Sequence, residues 1–163
     1  MYSFRLPTIG GQATAPYTFL SLFNPVGSGV SVYLHQLQLA PYAAGASTTN
    51  TTTLLNRITA ASGGTLQADS TVNKLRTTDP DPLVEIRTAD PAVTLGAGII
   101  HFAPPIQPTI ISSYSPSVQE VNFMSDQWGN FILAAGEGVA FHQINVGDAD
   151  QRWPFTIVWS EGQ

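Results

Sequence analysis

Glycine and proline divide this chain so evenly that no segment can build a long amphipathic helix. Turn signals, among them Asn24-Pro25, Gly63-Gly64, Asp79-Pro80, Asp90-Pro91, Pro104-Pro105 and Gly136-Glu137-Gly138, recur about every 8–15 residues. Between them lie short runs rich in aromatic and β-branched residues. None repeats its apolar positions with the 3.6-residue period of a helix. Charge points the same way. Only 10% of the 163 residues are charged, against about 25% in an average globular domain. Thr, Ser, Gly and Pro take the places that Glu and Lys would occupy on exposed helices, and these residues suit strands and turns. The expected fold is therefore all-β: an antiparallel β-sandwich or jelly roll.

Individual strands can be read off. Tyr17–Phe23 is aromatic-rich and ends at Asn24-Pro25. Val30–Leu39 follows a turn in which Gly27 and Gly29 permit positive φ. Its apolar side switches near Gln36, which implies a bulge or twist. These two runs read as a hairpin. Leu54–Thr59, Leu83–Thr88, Ile99–Ala103, Val121–Met124 and Phe131–Leu133 are further strands. Val139–Ile144 is expected to pair back on Phe131–Leu133 across Ala134–Gly138. Trp153–Ser160 closes the set, with Phe155, Ile157 and Trp159 on one face. Ala43–Thr53 and Thr65–Asp81 read as polar, partly irregular loops. Residues 1–16 contain Pro7, Gly10, Gly11 and Pro16 and read as an irregular N-terminal arm. A single sandwich domain is expected over 17–163. Phe4, Leu6 and Ile9 on such an arm would need a partner surface, which makes them candidate contact residues. Tyr114 and Trp128, aromatic residues near strand ends, are two more.

Composition also excludes functions. Six basic and eleven acidic residues give a net charge of −5 and a pI near 4.8, with Lys74 the single lysine. No basic stripe is available for nucleic acid or for an anionic membrane. With no cysteine, disulfides, zinc–thiolate sites and thiol catalysis are ruled out. No run approaches the length of a transmembrane helix, and Met1–Arg5 lacks the charged-then-apolar form of a signal peptide.

Catalytic patterns are weak. His35, His101 and His142 sit on separate strands with no His-x-His pair, which leaves only a three-His set assembled in space. Gly27-Ser28-Gly29 lacks the spacing of a nucleophile elbow. Gly96-Ala97-Gly98 has no helix behind it to receive a phosphate. Asp79, Asp81, Glu85, Asp90 and Glu137 are as many carboxylates as any acidic surface offers, and the Asp-Pro pairs are turn chemistry. Asn50-Thr51-Thr52 matches a glycosylation acceptor by pattern alone. No catalytic, cofactor or metal residues are assigned.

Three segments together carry a resemblance. They are Phe23-Asn24-Pro25-Val26-Gly27-Ser28-Gly29-Val30, then Ile132-Leu133-Ala134-Ala135-Gly136-Glu137-Gly138-Val139-Ala140-Phe141, then Trp153-Pro154-Phe155-Thr156-Ile157-Val158-Trp159-Ser160-Glu161. Their order resembles small β-sandwich virion proteins of tailed bacteriophages, which decorate the capsid shell or build head fibres and related appendages. The resemblance spans roughly a third of the chain, and its motifs are turn and strand signatures. It implies a homotrimer on the virion surface, made in the host cytoplasm, with the major capsid protein as partner and no enzymatic activity. The expected function is capsid decoration. A receptor- or glycan-binding module of a fibre or tail tip is the alternative.

Overall fold

A computed structural model describes residues 1–39, 42–43, 53–100, 119–123, 131–147 and 151–162. The strands are β1 (Tyr2–Gly10), β2 (Tyr17–Phe23), β3 (Ser31–Leu39), β4 (Tyr42–Ala43), β5 (Thr53–Ser62), β6 (Thr65–Leu66), β7 (Asn73–Lys74), β8 (Glu85–Thr88), β9 (Ala92–Ile100), β10 (Gln119–Asn122), β11 (Phe131–Leu133), β12 (Gly138–Gln143) and β13 (Gln151–Gly162). One 3₁₀ turn, Asp69–Thr71, interrupts them. Two antiparallel sheets form the sandwich. Sheet A runs β10-β3-β13-β1-β7, with β11 also on β3 and β4 on β13; sheet B runs β6-β8-β2-β12-β5-β9. The expected β-sandwich is the observed fold.

Period-two alternation builds the core. In sheet A, Phe155, Ile157 and Trp159 pair with Leu39, Leu37 and Leu34, and all six point between the sheets. Sheet B answers with Leu20, Leu22, Val139, Phe141, Leu55 and Ile86. The apolar switch in β3 is a bulge. Between the pairs Gln36–Val158 and Leu34–Trp159, His35 is the extra residue. Two-versus-one pairing of this kind moves the inward set from one parity to the other.

The N-terminal arm is corrected. Residues 2–10 are not irregular but a long strand, seated between β13 and β7. Tyr2, Phe4 and Leu6 face Trp159, Ile157 and Phe155, and are only 3%, 2% and 8% exposed. The Tyr2 and Trp159 rings stack at 5.6 Å. The proline that argued against a strand is absorbed by an irregularity. Register slips between the pairs Leu6–Phe155 and Ile9–Trp153, so Pro7 and Pro154 both fall where the ladder is interrupted. The expected boundary at residue 16 disappears with the arm, because β1 is part of the sandwich.

Both expected hairpins are also corrected. β2 lies in sheet B and β3 in sheet A, so the Asn24–Gly29 turn crosses between sheets. β11 and β12 are divided in the same way: β11 pairs with β3, whereas β12 lies between β2 and β5. Each of these turns is a corner of the sandwich rather than the loop of a local ribbon. β9 begins at Ala92, well before the expected Ile99. Gly96 lies in a register slip against β5 that hides the strand from a pattern search.

Candidate functional site

The two corner turns come together at one end of the sandwich. Each is closed by one backbone bond: Ser28 N–H donates to Pro25 O at 3.1 Å, and Glu137 N–H donates to Ala134 O at 3.0 Å. Each has a glycine at its third position, Gly27 and Gly136, both at φ +86°. That backbone suits glycine because a Cβ there would be strained. Val26 and Ala135 therefore occupy equivalent second positions of two like turns.

Asn24 joins the turns. Its N–H donates to Glu137 O at 2.9 Å, and its carbonyl accepts from Gly136 N–H at 2.8 Å. Its side-chain Nδ2 donates to Val30 O at 2.9 Å and to Leu133 O at 3.2 Å. The residue is fully buried. Glu137 closes the second turn from outside, accepting from Ala134 N–H at 2.9 Å. Arg57 of β5 lies 3.6 Å from the Glu137 carboxylate and 4.3 Å above the Phe131 ring. Arg57 thus answers the Glu137 carboxylate, and its guanidinium also caps an aromatic edge. Val26 is 83% exposed and its side chain lies against Gly136 of the other turn; Ile132, Ala134 and Ala135 are exposed as well.

Of the expected contact residues, Phe4 and Leu6 are core and are corrected as partner contacts, since their faces are spent on β13. Ile9 pairs through its backbone with Trp153, and its side chain lies outside what the structure describes. Tyr114 and Trp128 also lie outside the described residues.

The histidines are not brought together. His35 stands on the outer face of sheet A, its Nε2 2.8 Å from Ser160 Oγ across the bulge. His142 stands on the outer face of sheet B, between Thr18 and Leu54, and is nearly buried. The two faces are on opposite sides of the molecule, so these two rings cannot share an ion. His101 lies outside the described residues. Burial holds both described imidazoles below the ordinary histidine range, and for His35 the N-terminal ammonium adds to this. Among the described residues no group of three His, Asp or Glu side chains is placed to hold a metal. The carboxylates singled out in the sequence are each engaged by a cation or a backbone N–H. Asp79 holds the Met1 ammonium at 2.9 Å, Asp81 holds Lys74 at 2.7 Å, and Glu85 holds Arg87 at 2.9 Å. Asp90 accepts from Thr18 N–H at 2.9 Å.

Three polar residues matter more than sequence reasoning suggested. Asn24 carried a turn signal but no sign of its reach to Leu133. Glu161 accepts from Leu83 N–H at 3.0 Å and from the Trp159 indole at 3.2 Å, tying the segment before β8 to sheet A. Gln143, fully buried, accepts from Gln12 N–H at 3.1 Å and donates to Gln12 O at 2.7 Å. In this way it pins the β1–β2 connection. Comparison of the chain with family models, with characterised proteins and with solved structures returns no match.

Proposed function

We propose that this chain is a structural protein of a tailed-bacteriophage virion, a decoration protein that binds the capsid shell as an oligomer and strengthens it. The observation that carries the reading is the meeting of the two resemblance-bearing turns. Asn24–Gly29 and Ala134–Gly138 are far apart in the chain, yet Asn24 clasps them into one preformed end. A protein that works by being held in a lattice needs preformed contact ends, because ordering a loop at the moment of binding subtracts from affinity. Repetition over many sites then turns weak contacts into firm attachment. The partners in this reading are other copies of the chain, as a homotrimer, and the major capsid protein. Its location is the outer surface of the head.

The test mixes full-length protein with purified undecorated shells. Co-sedimentation at a fixed number of copies per shell, with a rise in the temperature at which the shells open, is expected. Absence of both would end the decoration reading. If the chain ignored shells but bound defined oligosaccharides on a glycan array, the fibre or tail-tip alternative would replace it.

A further inference from the structure

We propose that sheet B holds a buried water molecule on the face turned away from sheet A, hydrogen-bonded to Ser21 Oγ and Asn56 Oδ1 across Ala140. The inference concerns the fold alone and stands or falls independently of the decoration reading.

The register puts the three residues in one row. Ser21 of β2 and Asn56 of β5 both pair with Ala140 of β12, from its two sides. Directly paired residues point to the same face of a sheet. Their chain neighbours Leu20, Leu22, Val139, Phe141 and Leu55 fill the core between the sheets, so alternation turns Ser21, Ala140 and Asn56 the other way. The outer face of a two-sheet sandwich is ordinarily wet. Here it is not: Ser21 and Ala140 are 0% exposed, Asn56 is 4%, and Ile58, two residues further along β5, is 1%.

The cause is the roll of sheet B. β5 and β6 belong to opposite halves of the sheet, yet only Gly63 and Gly64 separate them; β8 and β9, at opposite halves as well, are separated only by residues 89–91. The pair Ser62–Ala92 is thus followed at once by the pair Thr65–Thr88. Gly63, Gly64, Ala89 and Asp90 all have positive φ, so both strands of this ribbon turn sharply at one level. Margins joined this tightly require the sheet to curl, and the curl brings β5 and β9 against β2 although β12 lies between them. It closes over the face away from sheet A, because the core occupies the other.

Two polar atoms are shut in by the curl. Ser21 Oγ and Asn56 Oδ1 are buried and meet no hydrogen-bond partner among the described residues. Buried polar atoms are nearly always paired, by ordered water where protein groups do not reach. These two cannot pair with each other. Facing Cβ atoms on adjacent strands are about 4.5–5.5 Å apart, so two strands of separation put these roughly 9–11 Å apart. The side chains shorten that gap from both ends, to a span that two hydrogen bonds of about 2.7–3.2 Å in series can cross. Ala140, between them, contributes only a methyl group to the space. The occupant must donate to Asn56 Oδ1, while the Ser21 hydroxyl accepts or donates. It must also be neutral. The charge next in the row, Arg87 beside Ser21, is already bound to Glu85 and to Gly63 O. A small neutral molecule that both donates and accepts is water.

The experiment is a crystal structure of the full-length protein at a resolution that shows ordered water, joined to a double-mutant cycle of Ser21→Ala and Asn56→Ala read by thermal unfolding. A density peak for one water within hydrogen-bond reach of both side chains is expected. Each single substitution should lower the melting temperature, and the double substitution should lower it by less than the sum, because either one alone removes the bridge. Groups this far apart with no shared partner would give additive losses. A dry space, Ser21 Oγ bonded to a backbone carbonyl, or additive losses would overturn the proposal. Should a substituted protein fail to fold, the wild-type crystal structure decides alone.

Discussion

Removing β1 should unfold the protein. The strand places Tyr2, Phe4 and Leu6 against Trp159, Ile157 and Phe155, and all six are buried. Full burial of a large apolar side chain stabilises by about 1.5–3 kcal/mol, so the three on β1 contribute roughly 5–9 kcal/mol. The stacking of Tyr2 on Trp159 adds about 0.5–1.5 kcal/mol. Deletion would also uncover the inward faces of the three β13 partners. Against the ~5–15 kcal/mol that stabilises an entire domain, this loss is fatal or nearly so. A single substitution measures the same thing within a folded protein. Phe4→Ala removes a ring that is 2% exposed and should cost about 3–5 kcal/mol. For a chain of this size each kcal/mol lowers the melting temperature by about 2–4 °C, so a fall of roughly 6–20 °C is expected. Circular dichroism melts and urea titrations of wild type, Phe4→Ala and a protein lacking residues 1–10 make the comparison. A shortened protein that melted cooperatively within a few degrees of wild type would show that β13 closes the core unaided. In that case the burial reasoning would be wrong.

Other perturbations test other parts of the structure. Trp159 is fully buried at the centre of sheet A, and Trp159→Ala should cost about 3–5 kcal/mol in a urea titration. Gly138→Ala would put a Cβ 2.5 Å from Leu22 O and 2.9 Å from Phe23 Cα, both backbone atoms of a central strand. Overpacking of this kind should lower stability by about 1–3 kcal/mol, read as a lower melting temperature. Burial lowers the His142 pKa in the folded state, so below the unfolded value of about 6.5 the unfolded chain binds the extra proton more readily. Stability is therefore complete above that pH and falls as the pH drops through it towards the folded pKa. His35 is shifted in the same direction. Melting temperatures from pH 8 to pH 5.5 should show this decline, and His142→Gln should remove part of the slope; an unchanged slope would mean that His142 is not desolvated.

The strands that could be read from the sequence are those whose pattern is local. Tyr17–Phe23 and Phe131–Leu133 have the boundaries their residues suggest. The inward face of Phe155, Ile157 and Trp159 follows from alternation alone, and the parity switch in β3 is visible as a break in that alternation. β1 escaped for a physical reason. Tyr2, Phe4 and Leu6 alternate as strand residues should, but Pro7, Gly10 and Gly11 suggest irregular chain. Proline is tolerated because the ladder slips between Leu6 and Ile9. In β9 a glycine at a register slip had the same masking effect. A breaker residue shows where the ladder is interrupted, but it does not say whether a strand continues beyond the interruption.

The clasped pair of turns was half legible for a related reason. Both turns could be found from their glycines, and both were assigned to hairpins, because a short turn between two apolar runs looks the same whether the runs pair or part. What separates the cases is the destination of backbone hydrogen bonds, which is not a local property. Asn24 and Leu133 are 109 residues apart, and the bond between them exists only once both sheets have formed. A hairpin turn needs only its own closing bond. A turn that crosses between sheets leaves backbone groups at the corner without ladder partners, and these must be satisfied by something else. Here Asn24 donates to the carbonyls of Val30 and Leu133, while its own backbone pairs with Gly136 and Glu137. The burial of an asparagine at such a corner is thus a consequence of the crossing, and so is the joining of the two turns.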